Sequence, residues 1–220
     1  MAETLQLRVH SSELTYEVAL SPYFTAVIDV PGKVAGALAS EFNVSLVDID
    51  VDDGRLEDRG LTCELDKASA SVVLRADRFE VHFAAVDEGW DGPVAQSVWQ
   101  VLNACAPLVG AKSHSLLFEM NCELPAGTYG ASLQQFCIAP TSLPKGTETA
   151  VVYYLPPDSS RALLDSNIVL NRSAEVEGGI LLAATIVFDG DSVSRDDVFS
   201  VGRDRFGELL KSLNITLQDR

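Results

Sequence analysis

Alternation of apolar and polar residues with a period of two runs through most of this chain, and no other feature constrains its fold as much. A strand points successive side chains to opposite faces, so such a run has one face for a core and one for water. "LQLRVH", "LTYEVAL" and "YFTAVIDV" read this way near the start, and "LTCEL", "ASVVLR" and "RFEVHFAAV" follow. Later come "SHSLLFEMNCEL", "TAVVYYLP" and "ALLDSNIVL". "GILLAATIVFDG" differs, being apolar nearly throughout, which is the pattern of a central strand covered on both sides.

Three stretches carry the helical period instead. "KVAGALASEF" follows the break at Pro31-Gly32. In "PVAQSVWQVLNACAPLV", Val94, Val98, Val101, Leu102 and Cys105 share a face, and Pro93 suits the first turn because its missing N–H costs nothing there. "SRDDVFSVGRDRFGELLKSL" is amphipathic, with Ser194 and Asp197 spaced like a capping box. Runs of strands interrupted by about three helices predict an α+β fold with mainly antiparallel sheet. The hairpin "VLRADRFEVHFAAV" with its helix and strand is echoed by "IVLNRSAEVEGGILLAATIVFDG" and a helix, which suggests two pseudo-repeated halves, 1–125 and 126–220.

"LVDIDVDDGRLED" gathers carboxylates at Asp48, Asp50, Asp52 and Asp53. Val47, Ile49 and Val51 alternate with the first three, so a strand would bury the aliphatics, expose the aspartates and turn at Asp53-Gly54 toward "LTCEL". A calcium loop does not fit: counted from Asp48, the glycine required at position 6 is Asp53 and the glutamate required at position 12 is Arg59. A strand-borne metal cluster of Asp48, Asp50 and Asp52 remains the alternative to an acidic solvent face. Carboxylates two residues apart lie about 7 Å apart along a strand and need a second element to complete a site.

Among the histidines, His114 alternates in step with Leu116, Phe118, Met120 and Cys122, which predicts a buried structural role. His82 shares its face with Arg78 and Glu80, a base with an orienting carboxylate or a surface salt network. Trp90, in the acidic loop "VDEGWDGPV", is either a binding anchor or a lid on the core. No nucleophile elbow, phosphate-binding loop or dinucleotide fingerprint occurs, and no cofactor is implied.

Charge narrows the function classes. The 220 residues carry 32 acids against 16 Lys and Arg, a net charge of -16. Such a surface repels phosphate backbones and anionic lipid headgroups, so nucleic acid and membrane are not expected partners, whereas a basic partner is attracted. The four cysteines, Cys63, Cys105, Cys122 and Cys137, form no C-x-x-C pair and sit in apolar contexts, as buried thiols in a reducing compartment do. With no signal-peptide pattern at the start and no apolar run of bilayer length, the expectation is a cytoplasmic protein.

The order of "LRADRF" at 74–79, Trp90, "SLLFEM" at 115–120, "IVFDGD" at 186–191 and "RDRFGELL" at 203–210 resembles a sporadically distributed bacterial protein family of unassigned activity. "VGAKSHSLLFE" holds only part of that family's glycine-and-arginine signature, and the resemblance carries no catalytic residues across. The functional expectation is a non-catalytic protein-interaction or assembly module, a homodimer with its acidic strand face outside the contact. A metal-dependent enzyme on the Asp48/Asp50/Asp52 strand and a ligand binder with its pocket between the sheet and "AQSVWQVLNACA" are the alternatives.

Overall fold

The structure is a computed structural model and describes residues 4–52, 54–55, 59–65, 69–84, 92–124 and 150–218. It is an α+β fold with one ten-stranded sheet, ordered β2-β3-β4-β5-β1-β6-β9-β8-β7, with β10 joining β1. The strands are β1 (Leu5–Ser21), β2 (Ile49–Asp52), β3 (Gly60–Leu65), β4 (Ala70–Arg75), β5 (Arg78–Phe83), β6 (Gly110–Glu123), β7 (Val151–Leu155), β8 (Leu163–Arg172), β9 (Ile180–Asp189) and β10 (Ile215–Gln218). Every pairing is antiparallel except β1 with β10. The helices are α1 (Ala26–Asp29), α2 (Pro31–Phe42), α3 (Pro93–Cys105) and α4 (Val198–Ser212).

Topology repeats about the central β1–β6 pair. Outward from it run β5, β4 and β3 on one side and β9, β8 and β7 on the other. The hairpin β4–β5 leads into α3 and then β6, and the hairpin β8–β9 leads into α4 and then β10. One sheet passes through both halves, hydrogen-bonded from Arg8↔Glu123 to Ser21↔Gly110. The proposed boundary at residue 125 lies outside the described residues.

The three long helices among the described residues, α2, α3 and α4, pack on one face of the sheet. Phe206 of α4 stacks on Phe118 at 4.6 Å, Trp99 of α3 meets Phe79 edge-on at 5.3 Å, and Phe199 tilts against Tyr16 at 4.9 Å. Gly202 lets α4 approach closely: a Cβ there would sit 2.2 Å from Leu116 Cδ1, inside van der Waals contact. Tyr16, Phe79, Phe118 and Phe188 are, with Phe24, the largest fully buried side chains, so this face carries the core.

Several local expectations give way to tertiary context. "YFTAVIDV" is no strand: Phe24 is buried, and Ala26–Asp29 turns as α1 into α2. "LQLRVH" and "LTYEVAL" form one strand, kinked by a register shift between Val9 and Ser11. Ser194 does not start the last helix. Asp197 is the N-cap and gives no side-chain cap bond, and the Asp197 N–H donates to the Ser194 carbonyl instead. "NITLQ" adds the short strand β10, its backbone satisfied by β1.

Candidate functional site

The sequence-predicted aspartates separate. Leu46–Asp48 is a single 3-10 turn, and Asp48 closes a capping box with Ser45 rather than lying on a strand. Only Ile49 of the three aliphatics is buried, because Val47 sits in that turn at 85% exposure and Val51 lies on the outermost strand at 52%. Asp50 and Asp52 do share a face, paired with Thr62 and Gly60, but Asp52 Oδ1 accepts from the Gly54 N–H at 3.0 Å. The hairpin with "LTCEL" forms through a longer loop, since Asp52 already pairs with Gly60. All three aspartates are exposed, and among the described residues no group of three His, Cys, Asp or Glu is placed to hold a metal. Trp90 lies outside the described residues.

On the sheet face away from the helices, β1 and β5 bring Glu80 and His82 into one cluster. Arg78 Nε donates to Glu80 Oε1 at 2.6 Å, and His82 Nε2 meets Glu80 Oε2 at 3.1 Å. His82 Nδ1 lies 3.0 Å from Thr15 Oγ1, and Glu17 is 3.9 Å from Arg78. The hydrogen bond from His82, joined by Arg78, holds the Glu80 carboxyl down to about 2, and the same bond raises the His82 pKa. Both imidazole nitrogens are engaged, so His82 links Thr15 of β1 to Glu80 of β5 across the open face.

His114 is fully buried, as its alternation predicts, and its Nδ1 pairs with the Tyr16 hydroxyl at 2.7 Å. Burial, with the Arg195 charge, pushes its pKa down to about 4. Cys63 and Cys122 are buried free thiols and Cys105 is half-buried, and burial pushes Cys122 up to about 11.

The rest of the open face is unlike the Glu80 cluster. β9 is apolar on both sides, yet helices cover only one: Ile180, Leu182, Ala184, Ile186 and Phe188 are buried, whereas Leu181, Ala183 and Val187 keep partial exposure on the other. Val152 pairs with Val169, which pairs with Ala183, so an apolar row crosses β7, β8 and β9. Val152 is 44% and Tyr154 75% exposed at its outer end. The expectation that β9 is covered on both faces therefore fails for the described residues.

A cavity of about 220 Å³ opens on the helix side, between α3 and the approach to α4. Tyr16 and Trp99 line it with Gln96, Arg195, Ser200 and Arg203. Sequence reasoning placed a pocket against "AQSVWQVLNACA" but missed Arg195, whose guanidinium lies 3.6 Å from the centre of the Trp99 ring. Nothing in "SRDDV" signals that contact, which joins residues far apart in the chain.

No family model matches the chain, and no curated protein matches it. Among solved structures, one titled "Methanococcus jannaschii TBP" aligns over 90% of this chain and 95% of its own at 8% identity, with a TM-score of 0.29. At that score the alignment carries neither fold nor function across.

Proposed function

We propose that the protein is a non-catalytic interaction module that pairs with a second copy of itself through the apolar half of its open sheet face. The observation that carries this reading is β9, whose outward side chains Leu181, Ala183 and Val187 are apolar without a covering layer among the described residues. Exposed apolar surface of this kind is costly in water and is usually a contact surface.

Charge selects the occupant. A chain of net charge -16 repels its own copy except where the meeting surfaces carry little charge. The β7–β8–β9 face is such a surface, and β2 with its aspartates lies at the opposite end of the sheet. A two-fold contact at β7–β9 keeps the acidic edges apart. Edge pairing at "LTCEL" or "SHSLLFEM" does not drive such a contact: the first is flanked by β2 and β4 and the second by β1 and β9, so both have partners on each side.

Light scattering at micromolar concentration tests this. A mass of twice the 23.7 kDa chain supports the reading, and a mass of one chain at every salt concentration removes it. Duplex DNA is not expected to bind near physiological salt, because the open face offers Glu17, Glu64 and Glu80 where phosphate neutralisation needs several Lys or Arg. Tight, salt-dependent binding in a fluorescence-anisotropy titration would contradict that. The described helices include none long and apolar enough to cross a membrane.

A further inference from the structure

At the β2 end of the sheet, the last turn of α2, the turn before β2 and the first turn of α3 surround a second cavity, of about 530 Å³. Its apolar lining is rooted in the core. Leu65 is buried, and Phe42, Val44 and Val94 are half-buried against core residues. Val47 also lines it and is 85% exposed, with Leu46 and Val51 beside it in the chain at 59% and 52%. The Ser45–Asp48 capping box fixes the turn that holds Val47 outward. Scattered surface aliphatics are ordinary, but a group of them around a recess marks a contact surface.

Charge states what can cover it. Asp48, Asp50 and Glu64 are the charged residues of the described lining, all three exposed, and no Lys or Arg stands among them. Among the described residues, Asp50 and Glu64 have no ion pair and no side-chain hydrogen bond. Their field reaches the strand beneath: burial raises the pKa of the Cys63 thiol, and the charges of Glu64 and Asp48 raise it further. Uncompensated carboxylates around an apolar recess complement a cation carried beside an apolar group. A second copy of this chain does not supply that, because its own end here is equally acidic and its net charge is -16. A small amine does not cover it either, since the exposed aliphatics run on from Leu46 to Val51 and the carboxylates are spread over the turn, β2 and β3.

We propose that this cavity docks a basic segment of another protein, which seats a large aliphatic side chain on Phe42, Val44, Leu65 and Val94 and sets flanking Lys or Arg against Asp48, Asp50 and Glu64. The apolar recess supplies the anchor and the carboxylates select for charge and speed the encounter. β2 is the last strand of the sheet, so no further strand among the described residues flanks it on that side. The surface lies at the opposite end of the sheet from the β7–β9 contact proposed for self-association, so either can fail without the other.

Two labelled synthetic peptides serve as probes in anisotropy titrations at physiological salt. One alternates Lys with Leu, and the other alternates Lys with Gly at the same length and charge. The Lys/Leu peptide should bind saturably and at least about tenfold more tightly than the Lys/Gly peptide. Asp50→Asn with Glu64→Gln removes two exposed carboxylates and should weaken the Lys/Leu peptide by about tenfold. Asp191→Asn with Asp204→Asn makes the same change in net charge at exposed positions away from the cavity, and should change binding by less than about twofold. Val47→Ser takes an exposed aliphatic from the lining without touching the core, and should weaken the Lys/Leu peptide by about fivefold. Equal binding of the two peptides, equal losses in the two double variants, or no saturable binding would overturn the assignment. So would a change in light-scattering mass on Asp50→Asn with Glu64→Gln, because a second copy would then be the occupant.

Discussion

Along the register row Tyr154, Asn167, Thr185, Leu117, Thr15, His82, Ser71 and Glu64, the open face of the sheet changes character halfway. The neighbouring row repeats the change, from Val187 and Ser115 to Glu17 and Glu80. On the β1–β5 side the outward groups are charged and answer one another, with Glu80 bonded to both Arg78 and His82. On the β9–β7 side the outward groups are uncharged over most of the face, the aliphatics Val187, Ala183, Leu181, Val169 and Val152 with the neutral Asn167, Asn171 and Thr185 among them, and Asp165 and Asp189 stand at one end. Strands of matching topology thus carry surfaces with opposite needs. A charged network whose members satisfy each other is complete in water, whereas an apolar face is complete only when covered. This difference is the reason the proposed self-contact is assigned to the C-terminal half.

The largest effect expected from this contrast is on assembly. Val152→Glu with Tyr154→Glu places two charges at the outer end of the apolar row, at positions exposed in the single chain, so folding should be unaffected. Desolvating those carboxylates in a contact should weaken self-association by about a hundredfold, which light scattering reads as a return to the 23.7 kDa mass. Ser71→Glu puts a charge on the polar half and should leave the mass unchanged. If Ser71→Glu dissociates the assembly and the β7 pair does not, the two halves have been assigned the wrong way round.

The sheet was legible in the sequence because burial on one face imposes a period of two, and "ASVVLR", "RFEVHF" and "SHSLLFEMNCE" follow it residue by residue. His114 was legible for the same reason. Two kinds of information were not. Val47 and Ile49 continue an alternating pattern, but the Ser45–Asp48 capping box diverts the first into a turn, a local hydrogen bond that outcompetes strand pairing. An apolar strand covered on both sides and one covered on a single side look alike in sequence, so the β9 pattern predicts full burial where, among the described residues, only one face is covered. Arg195 over Trp99 was beyond reach, since no local signal links a loop arginine to a helix nearly a hundred residues earlier.

A smaller effect, on stability, separates the covered face from the open one. His114 takes a proton at about 4 in the folded protein against an ordinary 6.5, so the unfolded chain binds protons first as pH falls. Its contribution is complete above the ordinary value and is lost as pH drops toward about 4. Urea unfolding near pH 7 and about pH 5 should show a loss of about 2 kcal/mol from this group alone. His114→Leu removes the titration and should flatten that acid limb, even if losing the Tyr16 partner lowers stability at every pH. An acid limb of undiminished steepness in the variant would mean that other groups, not the covered face, set the acid sensitivity.

The smallest effect belongs to the polar half. His82 has a raised pKa, because the folded state offers it Glu80. Its contribution is therefore present below the ordinary 6.5 and fades as pH rises through the folded value, the reverse of His114. Glu80, held down to about 2, contributes fully above its ordinary 4.5 and loses that contribution progressively as pH falls from there through about 2. Both groups are partly exposed, with side chains 42% and 17% accessible, so solvent screens the pairing. Glu80→Gln should then cost below about 1 kcal/mol near neutral pH, less still at high salt, and should return the His82 titration toward 6.5 when followed by NMR. A loss of several kcal/mol would show instead that Glu80, His82 and Arg78 are buried by something seated on them. The contact surface would then have to include the polar half, and the division of the open face would no longer tell where the partner binds.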